Sequence, residues 1–405
     1  MSDSSWLKDL PRFYQRQFVE RGYDNLFAGR DAARGISRRS FLKGVGAAAA
    51  AGAAAAAIPG RGARAASQMG YMCWEGYNDP QIVEPFEKEN DVKMNIDVII
   101  DDPSAFAKLM AGADRDVDIA TLDSPWVQRF GPAGLCEFLN YEDFADTYAN
   151  FYDQFQHPFE PLLFEGKITG LPTRWGWIGP IFNTNNYSYE YWRDYTPIFD
   201  PENKDKIAWM DFGDYPIFIL ALHIGIYPFK ELDESEIDEI RMAMRKLFAN
   251  TRLLIGDLTL LQKGLVDGSI ANQLGCGNYC SSGARYNGHR EIVSTVPEPL
   301  SDGFKRGAIW LEATAIITEP NNPEAAANWI RWCARDDIGK LLSLGPIVSP
   351  PTPNKRVEAL YTEDERAIID FDYLWTAWDM SVFQYMMPDV DNLMGIQQEE
   401  WTNAA

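Results

Sequence analysis

Histidine is scarce in this chain: only His157, His223 and His289 occur, far apart. That excludes the clustered imidazole sets of catalytic zinc and related metal centres. Cysteine is sparse too. Cys73, Cys136, Cys276, Cys280 and Cys333 are odd in number and lack zinc spacing, so at least one is free or pairs between chains. Cys276 and Cys280 are open to a local disulfide in an oxidising compartment. There is no Gly-rich phosphate loop and no nucleophile elbow, which argues against nucleotide and acyl-transfer enzymes. No apolar run reaches the roughly 20 residues that span a membrane. Positive charge is short as well, with 37 Lys and Arg against 59 Asp and Glu.

What positive charge there is gathers at the start. Ser37-Arg-Arg-Ser-Phe-Leu-Lys-Gly44 has the form of a twin-arginine export signal, and an apolar, alanine-rich run follows over Val45–Ile58. Ala63-Arg64-Ala65 then offers an A-x-A cleavage site. These three features in order imply a leader over residues 1–65, export through the twin-arginine translocase, and a periplasmic mature chain over 66–405. The leader holds 11 Lys and Arg against 5 Asp and Glu, so the rest of the −22 chain carries −28. A field of that sign repels nucleic acid and anionic membrane and concentrates cations. A mature length of 340 residues suits two lobes better than a single core.

The mature chain opens as alternating strands and helices. Gly70–Tyr77 reads as a strand ending in a Gly turn, and Asp79–Asn90 as a helix with Ile82, Val83 and Phe86 on one face. Val92–Ile100 alternates as a half-buried strand, Ser104–Gly112 reads as a helix, and Asp116–Leu122 as a third strand. This β-α-β-α-β order calls for a parallel sheet covered by helices, hence an α/β class. Further on, Trp177–Phe182, Ser269–Leu274, Ile292–Val296 and Ala308–Ile317 read as strands. Ile217–Ile226, Glu234–Ala249, Asp257–Leu265, Pro323–Cys333 and Ile338–Leu344 read as helices, and residues 275–283 as a Gly/Cys loop.

Several stretches resemble, in order, the spermidine/putrescine branch of the periplasmic solute-binding proteins of ABC transporters. Trp74-Glu-Gly-Tyr77 resembles its Trp-x-x-Tyr strand end, and Val117-Asp-Ile-Ala-Thr-Leu-Asp-Ser124 its strand and ligand loop. Leu171-Pro-Thr-Arg-Trp-Gly176 resembles its Pro-x-x-Trp-Gly approach to the hinge. Ile309-Trp-Leu-Glu312 resembles Phe-Trp-Met-Asp, and Pro351-Thr-Pro-Asn354 matches outright. The resemblance implies a two-lobed periplasmic binding protein type II fold, each lobe a mixed sheet flanked by helices, joined by hinge strands. It places lobe 1 at 66–182 and 308–345, lobe 2 at 183–307, and C-terminal helices over 346–405 packing across the lobes.

The same resemblance implies a receptor that closes over a small solute and docks on a membrane ABC permease, with no cofactor, no metal and no catalysis. Its site residues would be Trp74, Tyr77, Asp123, Ser124, Arg174, Trp175, Asp214, Asn278, Trp310 and Glu312. Glu312 with Trp310 and Trp74 is expected to take a ligand ammonium, since a cation leaving water needs a carboxylate or an aromatic face. The pattern also departs from the family. Pro216 stands near the expected second-lobe Glu, Gly277-Asn278-Tyr279 replaces Trp-Asn-Gly, and Arg174 adds a positive charge. A cationic, polyamine-like solute is the first reading. A zwitterionic or anionic solute anchored by Arg174 is the second, and a periplasmic enzyme the third.

Overall fold

Period-two patterning accounts for the first sheet. The computed structural model describes residues 67–404 apart from 113–115, 212, 251 and 252, so the export leader, its arginine pair and its cleavage site lie outside the described residues. Residues 66–405 form one compact unit. Its first half runs β1 (Ser67–Cys73), α1 (Pro80–Asn90), β2 (Val92–Val98), α2 (Asp102–Met110), β3 (Ile119–Asp123), α3 (Ser124–Ala133) and α4 (Tyr141–Ala149). In β2, Val92 and Met94 are buried, while Val98 is partly exposed and Ile100 lies beyond the strand in solvent. Asp79 caps α1 by accepting from the Gln81 N–H, and Ile82, Val83 and Phe86 fill its buried face.

The chain continues with the hairpin β4 (Leu163–Phe164) and β5 (Lys167–Ile168), then β6 (Leu171–Ile178) and β7 (Ile181–Asn183). A second sheet follows: β8 (Ile207–Met210), α5 (Tyr215–His223), α6 (Glu234–Asn250), β9 (Leu253–Ile255), α7 (Leu258–Asp267), β10 (Asn272–Leu274), α8 (Asn278–Tyr286) and β11 (Ile292–Ser294). The return comprises β12 (Gly307–Ile316), α9 (Pro323–Cys333), α10 (Asp336–Leu342), α11 (Glu363–Ile369), α12 (Leu374–Asp379), β13 (Ser381–Phe383) and α13 (Val390–Ala404). The larger sheet has the order β13-β12-β3-β1-β2, with β6 also on β12. The second is β10-β8-β9, and β11 pairs with β7.

Two apolar cores result. The first is built around β1, β2 and β3, and the second around β8, β10 and α5. β6 and β12 serve both, because alternate side chains point to opposite faces. Ile309, Leu311, Ala313 and Ala315 enter the first core, whereas Ala308 and Trp310 enter the second. In β6, Trp175 and Trp177 face the first core, and the second begins at Ile178. The C-terminal segment touches both, with Ile369, Leu374 and Ala377 in the first core and Leu393 and Ile396 in the second. Of the stretch read as a Gly/Cys loop, residues 275–277 are non-helical and residues 278–283 are instead the start of α8. Its Ser, Cys and Gly content is poor for helix, but residues 278–285 are all buried, and burial overrides propensity.

Candidate functional site

The carboxyl ends of β1 and β3 meet β12 and β6 at one row of side chains. Glu312 on β12 stands opposite Asp123 of β3 on one side and Arg174 of β6 on the other. Opposed residues share a face, so the three side chains are neighbours. Arg174 grips Glu312 with a two-pronged contact, Nε to Oε2 at 2.7 Å and Nη2 to Oε1 at 2.9 Å. The Tyr77 hydroxyl donates to the same Oε2 at 2.7 Å and lies 2.7 Å from Thr173 Oγ1. Arg174 Nη1 donates to the Glu75 carbonyl at 3.2 Å, and its Cζ lies 4.3 Å from the Tyr77 ring centroid. Both charges are buried, at 2% and 6% exposure, and the geometry supplies the bonds such a pair requires. Burial pulls the guanidinium pKa down, but Glu312 and Tyr77 outweigh it and the net shift is upward.

Asp123 and Asp214 are placed differently. Asp123 ends β3, and Tyr215 at the start of α5 donates its hydroxyl to Asp123 Oδ2, so a bond runs from one core to the other. The Asp123 N–H donates to Asp102 Oδ1 at 3.2 Å, bringing a third carboxyl alongside. Burial, then the Glu312 charge, lifts Asp123 to about 7, with a further push from Asp214. Burial, then Asp123, also raises Asp102 well above the usual carboxyl range. Asp214 precedes Tyr215, and burial lifts it to about 6 against the relief of its own backbone N–H. No group of three His, Cys, Asp or Glu is placed to hold a metal ion among the described residues.

Aromatic rings close the second side. Tyr215 and Tyr279 meet edge-on with centroids 6.5 Å apart, and Tyr279 meets Trp310 edge-on at 5.6 Å. Trp310 Nε1, Ser124 Oγ and Asn278 Nδ2 are buried without a hydrogen-bond partner among the described residues. Asn278 Oδ1 accepts from the Trp177 N–H at 3.1 Å. Only glycine allows this at position 176, where a Cβ would sit 2.1 Å from that oxygen. The Cys276–Cys280 disulfide brackets Asn278 and Tyr279, and Cys73, Cys136 and Cys333 are free and buried.

Tyr77, Asp123, Ser124, Arg174, Asp214, Asn278, Trp310 and Glu312 thus lie on the face where the two cores meet or on the segments that border it. Trp175 does not. It is fully buried on the opposite face of β6, against Phe155, Trp375 and Trp378, because its neighbour Arg174 takes the inner position. Trp74 is half-buried against the first core. The carboxylate of Glu312, expected to meet a ligand ammonium, meets Arg174 instead. Tyr215 and Asp102 were missed. Tyr215 directly follows Asp214 at a helix start, which was the available signal, whereas Asp102 had none.

A profile of the bacterial extracellular solute-binding proteins matches residues 81–364, most of the chain. The chain belongs to the bacterial extracellular solute-binding protein family. It is 21% identical over 293 residues to the spermidine/putrescine-binding periplasmic protein of Escherichia coli K12, covering 72% of this chain and 79% of that protein. With the putrescine-binding periplasmic protein of Pseudomonas aeruginosa it shares 24% over 336 residues, or 78% and 86% of the two chains. The spermidine/putrescine ABC transporter substrate-binding protein of Streptococcus pneumoniae superposes with a TM-score of 0.62 at 16% identity, over 84% of this chain and 98% of that one. A binding protein of A. tumefaciens B6, solved with glucopine, gives 0.60 at 13%, over 82% and 99%. The architecture is therefore the two-lobed fold of periplasmic binding proteins. Identities this low show the fold alone.

Proposed function

We propose that this protein is an extracytoplasmic receptor that closes its lobes over a small amine-bearing solute and delivers it to an ABC permease. The observation that carries the reading is the Tyr215–Asp123 hydrogen bond, which runs from the second core to the end of β3 beside Asp214, Tyr279 and Trp310. Two carboxyls whose burial raises their pKa are held where a cation would relieve them. The rings add roughly 0.5–2 kcal/mol per cation–π contact. A ligand bridging the lobes shifts the open–closed balance by its preference for the closed form. The sequence names of the curated relatives, which bind spermidine or putrescine, support the amine class.

The same geometry weighs against Arg174 as an anchor for a ligand carboxylate. Its Nε and Nη2 are taken by Glu312 and its Nη1 by Glu75 O. A thermal-shift screen of amines, betaines, amino acids and organic acids against the purified chain tests the reading. Amines are expected to raise the melting temperature and organic acids to leave it unchanged; stabilisation by acids alone would refute it. Delivery to a membrane permease from the periplasmic side requires export. Replacing Arg38 and Arg39 with Lys is expected to leave the uncleaved precursor in the cytoplasm, and undiminished export of that variant would exclude the twin-arginine route.

A further inference from the structure

We propose that Arg174 acts as a built-in counter-cation that fills one ammonium position, so that the site accepts a solute with one cationic group and rejects α,ω-diamines. This rests on the amine reading above and narrows it. Three donors converge on the two Glu312 oxygens: Arg174 Nε, Arg174 Nη2 and the Tyr77 hydroxyl. A guanidinium cannot shed its proton in a protein, so Arg174 keeps its positive charge. The planar fork holds the carboxylate at two points, which a single ammonium cannot match. A third Arg174 nitrogen contact, Nη1 to Glu75 O on the segment between β1 and α1, holds the guanidinium in place.

What remains for a guest lies on the other side of Glu312. Asp123 and Asp214 lack a cationic partner among the described residues, and Asp123 is shared with Asp102 and Tyr215. The rings of Tyr215, Tyr279 and Trp310 belong to that side as well. One ammonium there is met by carboxylates and aromatic faces. A second ammonium at the Glu312 end would be buried against Arg174, a like charge with no free carboxylate to offset it.

The test uses a matched pair of probes, n-butylamine and 1,4-diaminobutane, which differ only in the second ammonium. Titration calorimetry on the wild-type chain is expected to show butylamine binding about tenfold or more tightly than the diamine. Arg174→Gln releases Glu312 and should reverse the order. Because that variant leaves a buried carboxylate unpaired, the double variant Arg174→Gln with Glu312→Gln is measured beside it. It restores neutrality and should keep the butylamine preference. Tighter wild-type binding of the diamine overturns the inference while leaving the amine reading intact, as does an unchanged order in a folded Arg174→Gln. Failure of the wild type to bind either amine removes the amine reading, and the inference with it.

Discussion

Replacing Asp214 with Asn should make the ligand-free protein more stable and the ligand-bound protein less so. Burial lifts this carboxyl from 3.8 to about 6, so the folded chain holds a proton that the unfolded chain has released. Between those values the folded state binds more protons, and this group's contribution to stability falls as pH rises through that window, then levels off. At pH 8 the ionised side chain costs about 3 kcal/mol, from about two pKa units at roughly 1.4 kcal/mol each. With about 340 residues in the unit and an unfolding entropy of roughly 2.1 cal/mol/K per residue, that corresponds to about 4 °C. Scanning calorimetry of wild type and Asp214→Asn should therefore show the variant melting about 4 °C higher at pH 8, and no difference near pH 4. Bound amine should lose a charge-assisted hydrogen bond of about 1.5–3 kcal/mol, or roughly 10–100-fold in affinity. A variant that melts lower at pH 8, or differs equally at both pH values, would refute the reasoning.

Glu312→Gln is expected to act in the opposite sense, destabilising the ligand-free chain by about 3–5 kcal/mol because Arg174 is left buried with its charge uncompensated; urea denaturation measures this, and an unchanged midpoint would mean the pair is not buried. Trp310→Leu should weaken amine binding by roughly 0.5–2 kcal/mol, read by titration calorimetry, and unchanged amine affinity would exclude a cation–π role for that ring. Reducing the Cys276–Cys280 bond should cost about 2 kcal/mol of stability, given the short loop it closes, and should lower affinity because Asn278 and Tyr279 lie inside that loop; thermal melts with and without reductant check both.

Much of the frame was legible because local signals and burial agree. Asn322 and Pro323 announce α9, whose observed span of Pro323–Cys333 is the one the pattern predicts. The Val92–Met94 alternation announces β2 in the same way. The site was less legible, since its key contact depends on register between segments 138 residues apart. Glu312 faces Arg174 only because β12 and β6 align there, just before the irregularity between Glu312 and Ala313. Nothing in either stretch alone tells that the two charges meet each other rather than a guest. Trp175 was legible and was misread: adjacent strand residues point to opposite faces, so Arg174 and Trp175 cannot both line one cleft. α8 was hidden because burial, and not composition, makes residues 278–285 helical.

The most direct test of the account is the proton count on amine binding, taken by titration calorimetry at pH 6.5 in buffers of different ionisation enthalpy. A cation beside Asp123 and Asp214 favours their charged forms and lowers their pKa values from about 7 and about 6. Net release of up to about one proton per amine bound is expected. Binding with no proton release, or with uptake, would contradict it.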